Sequence, residues 1–266
     1  TVTPKLIADL MAIELEKLKA NQKDLPSVIE NKIMQIKLNG YPTAAPYRKR
    51  ARELSLANFV SITSKDVLDR FQQIVGGGFP HAQIEWHSFA FAFFNILNEL
   101  LGHGHDFLLL DIGGEITELS LSWHGLLWNT ASFPLGRNGL VRELARELGT
   151  TNDEASSALT LYLGKHQAPA ATAKMERALE TAKHKWLTAF RESLSRVVDG
   201  AFLPANIHLV GELSALPLFQ TWLEAVSFDD FTISAKKLSV GIIESDWLDR
   251  FCDHGPSARR DLSLMV

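Results

Sequence analysis

"LLLDIGGEITELSLSWHGLLWNTASFPLG", residues 108–136, is the stretch whose reading decides the fold. An apolar run ends at Asp111, passes through Gly113-Gly114, and then alternates. Thr117, Leu119, Leu121 and Trp123 are expected inward; Glu118, Ser120 and Ser122 are expected outward. A glycine pair after an apolar strand suggests a dinucleotide-binding turn. That motif needs a helix directly after the glycines, so that its N-terminus faces the pyrophosphate. Period two is the signature of a strand instead. His124-Gly125 then turns the chain into a further extended run, "LLWNTASF". The stretch predicts strand, glycine turn, strand, turn, strand, and the dinucleotide reading fails.

A hairpin tip of the form Asp-x-Gly-Gly-x-x-Thr has a chemical use. Glycine lets backbone N–H groups approach phosphate oxygens. A Thr hydroxyl can add a donor, and a strand-end Asp can hold Mg²⁺ through water or orient an attacking water. The alternative is a tight hairpin whose Asp bonds its own turn. The later segment "IHLVGELSALP" favours the first: an apolar strand, Gly211 at its carboxyl end, Ser214, and a Pro opening a helix. Ligands in α/β folds bind at the carboxyl ends of strands.

Around this stretch the order of elements argues an α/β fold. A helix opens at Thr3-Pro4. "IENKIMQIKLNG" reads as a strand into an Asn-Gly turn, "LSLANFVSIT" as a second strand, and "HAQIEWHS" as a short third one. Ser64 caps a helix that stops at Gly76-Gly77-Gly78, and "FAFAFFNILNELL" is a buried helix. After residue 136 come helices from about Asn138 and from "TNDEA", then a long one over about 172–198. Its stripe is Met175, Leu179, Ala182, Trp186, Phe190, Leu194 and Val197. A strand "NIHLV", a helix "LFQTWLEAV" and a short strand "FTIS" follow.

Composition bounds the function. With 266 residues, 46% hydrophobic and 22% charged, the chain suits a soluble globular protein of one large or two modest domains. A net charge of −4 gives no reason to expect nucleic acid as partner. One cysteine, Cys252, excludes an intrachain disulfide and a multi-thiolate metal site, and fits a reducing cytoplasm. No apolar run reaches the ~18 residues of a membrane span. The chain opens without Met, and its N-terminus is expected to belong to something longer.

Lesser candidates are weaker. His103, His105 and Asp106 in "HGHD" sit at a helix end, where Gly and His are ordinary. His87-Ser88 with Asp111 invites a hydrolase triad, but no Gly-x-Ser-x-Gly turn supports a nucleophile. "PYRKRARE", 46–53, is a basic connector, and "SARRDLSLMV" at the end is too short for a convincing membrane helix.

The quoted residues resemble the actin-like ATPase superfamily, in its bacterial branch containing the cell-division protein FtsA and the pilus assembly protein PilM. "LLLDIGGEITELSLSWHGLL" resembles that branch's second phosphate hairpin, "RNGLVRELARELG" the helix beneath it, and "HLVGELSALP" its adenosine loop. Residues 28–88 resemble the strand–helix–strand–strand module of this branch. The resemblance implies an actin-like (ribonuclease H-like) domain over 89–255, preceded by that module over 26–88. It implies an N-terminal helix and linker over 1–25, a remnant of the first actin-like domain, and a tail over 256–266.

It also implies ATP as ligand, with Asp111, Gly113, Gly114 and Thr117 on the phosphate hairpin and Gly136 before the helix beneath the phosphates. Gly211 and Ser214 would form the adenosine loop, Glu180 and Lys183 would contact the nucleoside, and Asp111 would hold Mg²⁺ through water. Glu and Lys three apart on a helix also read as a surface ion pair. Partners implied are division or pilus-assembly proteins, a short peptide docking on 26–88, and further copies of the chain. The location implied is the cytoplasm, at the inner face of a membrane that is met only indirectly.

Three departures weaken nucleotide binding. Glu115 stands where a third Gly is common, Glu118 replaces an Asp, and Glu212 replaces the second Gly of the adenosine loop. A carboxylate beside a triphosphate, with no cation between, loses about three decades of affinity at short range. The family's first Asp-x-Gly hairpin is not found in residues 1–25. The expectation is a scaffold with weakened ATP binding, ahead of an active ATPase whose first hairpin lies upstream, and ahead of an unrelated α/β enzyme.

Overall fold

The structure, a computed structural model, describes residues 1–20, 27–166, 168–232, 238–247 and 251. The tail over 256–266 and Cys252 lie outside the described residues. The chain divides into two compact units, Thr1–Ala92 and Phe93–Val266.

In the first unit, α1 (Pro4–Ala20) starts as the sequence predicts, with Thr3 Oγ1 accepting from the Leu6 amide at 3.1 Å. Its start is tied to a distant loop. The Val2 amide donates to Lys49 O, and the Arg48 amide donates to Val2 O. β1 (Ser27–Leu38) turns through Asn39 and Gly40, both at positive φ, into the short β2 (Tyr41–Pro42). Asn-Gly suits this two-residue turn because both central residues need positive φ. β1 also pairs antiparallel with β3 (Leu54–Thr63), giving the order β2-β1-β3. α2 (Lys65–Gly78) is capped by Ser64, and the glycine run forms its last turn.

The segment read as a third strand, 81–88, forms none. Its alternation is present, but side-chain contacts hold it in place of a ladder. Trp86 packs edge-on to Phe71 at 5.8 Å, and the buried Glu30 accepts from the Ser88 amide at 2.8 Å.

The second unit begins within α3 (Phe89–Leu101). Its sheet runs β6 (Leu126–Phe133), β5 (Thr117–Trp123), β4 (Phe107–Ile112), β7 (Asn206–Gly211), β8 (Ser239–Ile242). Counted from β4 the order is 3-2-1-4-5. β5 is antiparallel to both neighbours, and β7 and β8 are parallel to β4. This is the ribonuclease H-like arrangement expected. The fifth strand is "SVGI" rather than "FTIS": Phe231 closes a single 3₁₀ turn, and residues 233–234 lie outside the described residues.

α4 (Arg137–Leu148), α5 (Asn152–Leu163), α6 (Pro169–Val197) and α7 (Leu216–Glu224) complete the unit. All seven residues of the α6 stripe are buried. They pack on Leu108, Leu110, Ile112, Leu119 and Leu121 of the sheet. Each fully buried side chain of this size contributes roughly 1.5–3 kcal/mol. Trp186 centres an aromatic cluster, stacked on Phe190 at 5.4 Å and tilted against Phe219 at 5.1 Å. Ser120 and Ser122, expected on the outer face of β5, are buried too. The opposite face is also covered: Phe107, Leu109 and Val210 are buried there, with Phe94 against Phe107.

Candidate functional site

β5 leaves the glycine pair as a strand, in register with β4 from Phe107↔Ser122 to Ile112↔Thr117. Gly211 ends β7 directly beside Ile112 in the parallel ladder. The hairpin tip and the β7–α7 loop therefore meet at one end of the sheet. Two of the site's glycines are needed for close approach of backbone to backbone. A Cβ on Gly136 would lie 2.3 Å from Gly113 O, and one on Gly211 would lie 2.5 Å from Ile112 O.

That approach has a chemical consequence. The first N–H groups of a helix lack intrahelical partners and form a ready anion site. At α4 the hairpin supplies the partners. Gly136 N donates to Glu115 O at 3.1 Å, Arg137 N to Gly113 O at 2.9 Å, and Asn138 N to Gly114 O at 2.7 Å. Gly113 N is itself bonded to Ile116 O.

Two of the acidic replacements, Glu115 and Glu212, are neutralised by α4. Arg142 grips Glu115 through both terminal nitrogens, at 3.1 and 2.7 Å, and Asn138 Nδ2 adds a third bond at 3.1 Å. Arg142, then Asn138, hold the Glu115 carboxyl down at about 2. Arg137 Nε lies 2.7 Å from Glu212 Oε2, a contact of charge rather than an aligned hydrogen bond. Ser214 Oγ donates to the other oxygen of Glu212 at 2.7 Å. Arg137, Asn138 and Arg142 were not singled out from sequence. Their signal was "RNGLVR", two arginines five apart, immediately after the hairpin's last strand.

Asp111 lies at the carboxyl end of β4, opposite Glu118. Burial first, and Glu118 second, push its carboxyl up to about 6. Thr117 is fully buried: its hydroxyl donates to Leu135 O at 2.8 Å and accepts from Trp186 Nε1 at a long 3.4 Å. Glu180 and Lys183 pair with each other at 3.0 Å on α6. The structure thus brings together Asp111, Gly113, Gly114, Gly136, Gly211 and Ser214. It commits the hydroxyls of Thr117 and Ser214 to bonds within the chain.

The lesser candidates have structural roles. Asp106 accepts from the His124 amide at 2.6 Å, and His105 O accepts from Ser122 Oγ. Among the described residues no group of three metal-ligating side chains gathers. His87 Nδ1 lies 3.1 Å from Glu30. Burial pushes the Glu30 carboxyl up, but the Ser88 amide and His87 outweigh it and leave it below its usual range.

No family model matches the sequence, and no curated protein does. Among solved structures the chain is similar to the PilM–PilN type IV pilus biogenesis complex. Identity is 14% and the TM-score 0.60, over 91% of this chain and 63% of that one. It is also similar to MreB 5 of Spiroplasma citri bound to AMPPNP, at 13% identity and TM-score 0.47, over 70% and 62%. A third likeness is to the ethanolamine utilization protein EutJ from Carboxydothermus hydrogenoformans, at 19% and 0.37, over 54% and 47%. The chain spans 63% of the pilus protein's length.

Proposed function

We propose, from the actin-like fold that this chain has, that it acts as a cytoplasmic scaffold with weakened ATP binding. Its role is to organise a membrane-associated complex through protein–protein contacts, in pilus assembly or in cell division. The likeness to a PilM–PilN complex supports a protein partner.

The reading rests on one observation. The hairpin tip and α4 satisfy each other, with three α4-end amides on hairpin carbonyls and Glu115 on Arg142. Anion-binding capacity that a phosphate would use is already taken up inside the chain. Titrating ATP–Mg²⁺ into the protein by calorimetry tests this. No sub-micromolar binding is expected, and sub-micromolar binding would overturn the weakened-site reading.

The alternative is an active ATPase, in which Asp111 and Gly113-Gly114 face the phosphates and a first phosphate hairpin comes from upstream sequence. Asp111 favours it, since a carboxyl near pH 6 suits a group that orients or deprotonates water. Phosphate release above a stoichiometric amount, lost in Asp111→Asn, would decide for that reading.

A further inference from the structure

We propose that the ordered loop between β2 and β3, residues 43–53, docks on an anionic lipid surface. This goes beyond the scaffold reading, in which the membrane is met only through a partner, and does not depend on it. The loop carries Arg48, Lys49, Arg50 and Arg52 against one carboxylate, Glu53. All four cations are exposed, and among the described residues none of them enters an ion pair. Two exposed tyrosines lie toward the start of the loop: Tyr41, in β2 just before it, is 77% exposed and Tyr47, within it, 50%. Tyrosine is the side chain that sits at the headgroup level of a bilayer, ring toward the acyl region and hydroxyl in water.

The loop is held rigid in spite of its exposure. Asn39 Oδ1 accepts from the Arg52 and Glu53 amides at 2.9 and 3.2 Å. Val2 exchanges two backbone bonds with Arg48 and Lys49, and Pro46 is buried as an anchor. Arg48 is kept at φ +65, which favours glycine, by the bond from its amide to Val2 O. The backbone that carries the four un-neutralised cations is thus held in place, which leaves only side chains to order on contact.

Charge is segregated along the chain in the same sense. Residues 1–92 hold 12 Lys and Arg against 9 Asp and Glu, whereas residues 93–266 hold 15 against 22. An anionic surface attracts the first unit and repels the second. An acidic peptide would use the same charges, but it needs a groove to fix its path. Within residues 43–53 only Pro46 is buried, and the four cations all face solvent. A lipid surface is flat and needs no groove.

The test is sedimentation of the full chain with vesicles of phosphatidylglycerol and phosphatidylcholine, against vesicles of phosphatidylcholine alone. Binding to the anionic vesicles only is expected, fading as salt is raised. A lipid-surface cation changes partition about fivefold, so R48A/R50A/R52A should weaken binding on the order of 100-fold. R50A/R52A, which leaves the strained Arg48 in place, should weaken it about 25-fold on the same basis. R48K/R50K/R52K should bind as the parent does, because a surface reads charge and not guanidinium shape. Circular dichroism confirms that each variant is folded. The proposal is overturned by equal binding of parent and R50A/R52A, by failure to bind anionic vesicles at low salt, or by tight binding of a polyglutamate peptide without vesicle binding.

Discussion

Gly211 ends β7 at φ +146, and a Cβ there would lie 2.5 Å from the carbonyl oxygen of Ile112. Gly136 is tighter still, at 2.3 Å from Gly113 O. Real Cβ atoms do not come this close to backbone, so Gly211→Ala must push the ends of β7 and β4 apart, and Gly136→Ala must push the start of α4 away from the hairpin tip. Each is expected to lower stability by about 1–3 kcal/mol or more in urea unfolding. Gly77→Ala is the control. It sits in α2 with nothing near its Cβ position, and alanine there should raise stability by up to about 1 kcal/mol. A Gly136→Ala protein as stable as the parent would remove the close-approach account.

Thr117 separates a phosphate-binding role from a structural one. Its buried hydroxyl serves Leu135 O and the Trp186 indole. Thr117→Val keeps the shape and strands both partners, so a loss of about 1–3 kcal/mol is expected. Tryptophan fluorescence should report it. If the variant instead keeps its stability and changes only nucleotide affinity, the hydroxyl faces a ligand after all.

Asp111 makes the fold sensitive to pH in a defined direction. Its folded pKa, about 6, lies above the ordinary 3.8, so the native state holds the proton more tightly than the unfolded chain. Its contribution is fully present below about pH 4 and is lost as pH rises through 6. The loss is at most roughly 3 kcal/mol for a shift of this size. Asp111→Asn should therefore be more stable than the parent at pH 8 and lose that advantage at pH 4. Melting curves at the two pH values check the sign.

His208 on β7 shows the opposite sense. Burial lowers its pKa, and neither ring nitrogen has a hydrogen-bond partner among the described residues; Phe107 packs edge-on to it at 5.9 Å. Stability is present above the ordinary value near 6.5 and lost as pH falls below it. His208→Leu should stabilise the fold by about 1–2 kcal/mol at pH 7, and by more at pH 5.5. Chemical denaturation at both pH values would show it, and an unchanged midpoint at pH 5.5 would rule it out.

The period-two run after Gly114 and the α6 stripe were legible in sequence because both follow from one-dimensional spacing, which burial on one face enforces. The meeting of Gly113-Gly114 with Gly211 was legible as well, since strand-end loops of parallel neighbours fall at the same end of a sheet. The partners of Glu115 and Glu212 were not. Arg142 and Arg137 reach them across tertiary contacts, and nothing local separates these arginines from Arg146 on the same helix, which pairs with its own neighbours Glu143 and Glu147. The segment 81–88 misled because its alternation is real while its pairing edge is not. "SVGI" was passed over because four residues beside a polar stretch give too short a pattern to read.

The order of the second sheet has a kinetic consequence. β4, β5 and β6 follow one another through tight turns and can zip as a local meander. Ile112 and Gly211, in contrast, pair across a long stretch of helical chain. Closing that loop carries an entropic penalty before any contact rewards it. The end of the sheet where Ile112 meets Gly211 is therefore joined late, and a nascent chain that stops before β7 displays a bare, pairing-competent strand edge.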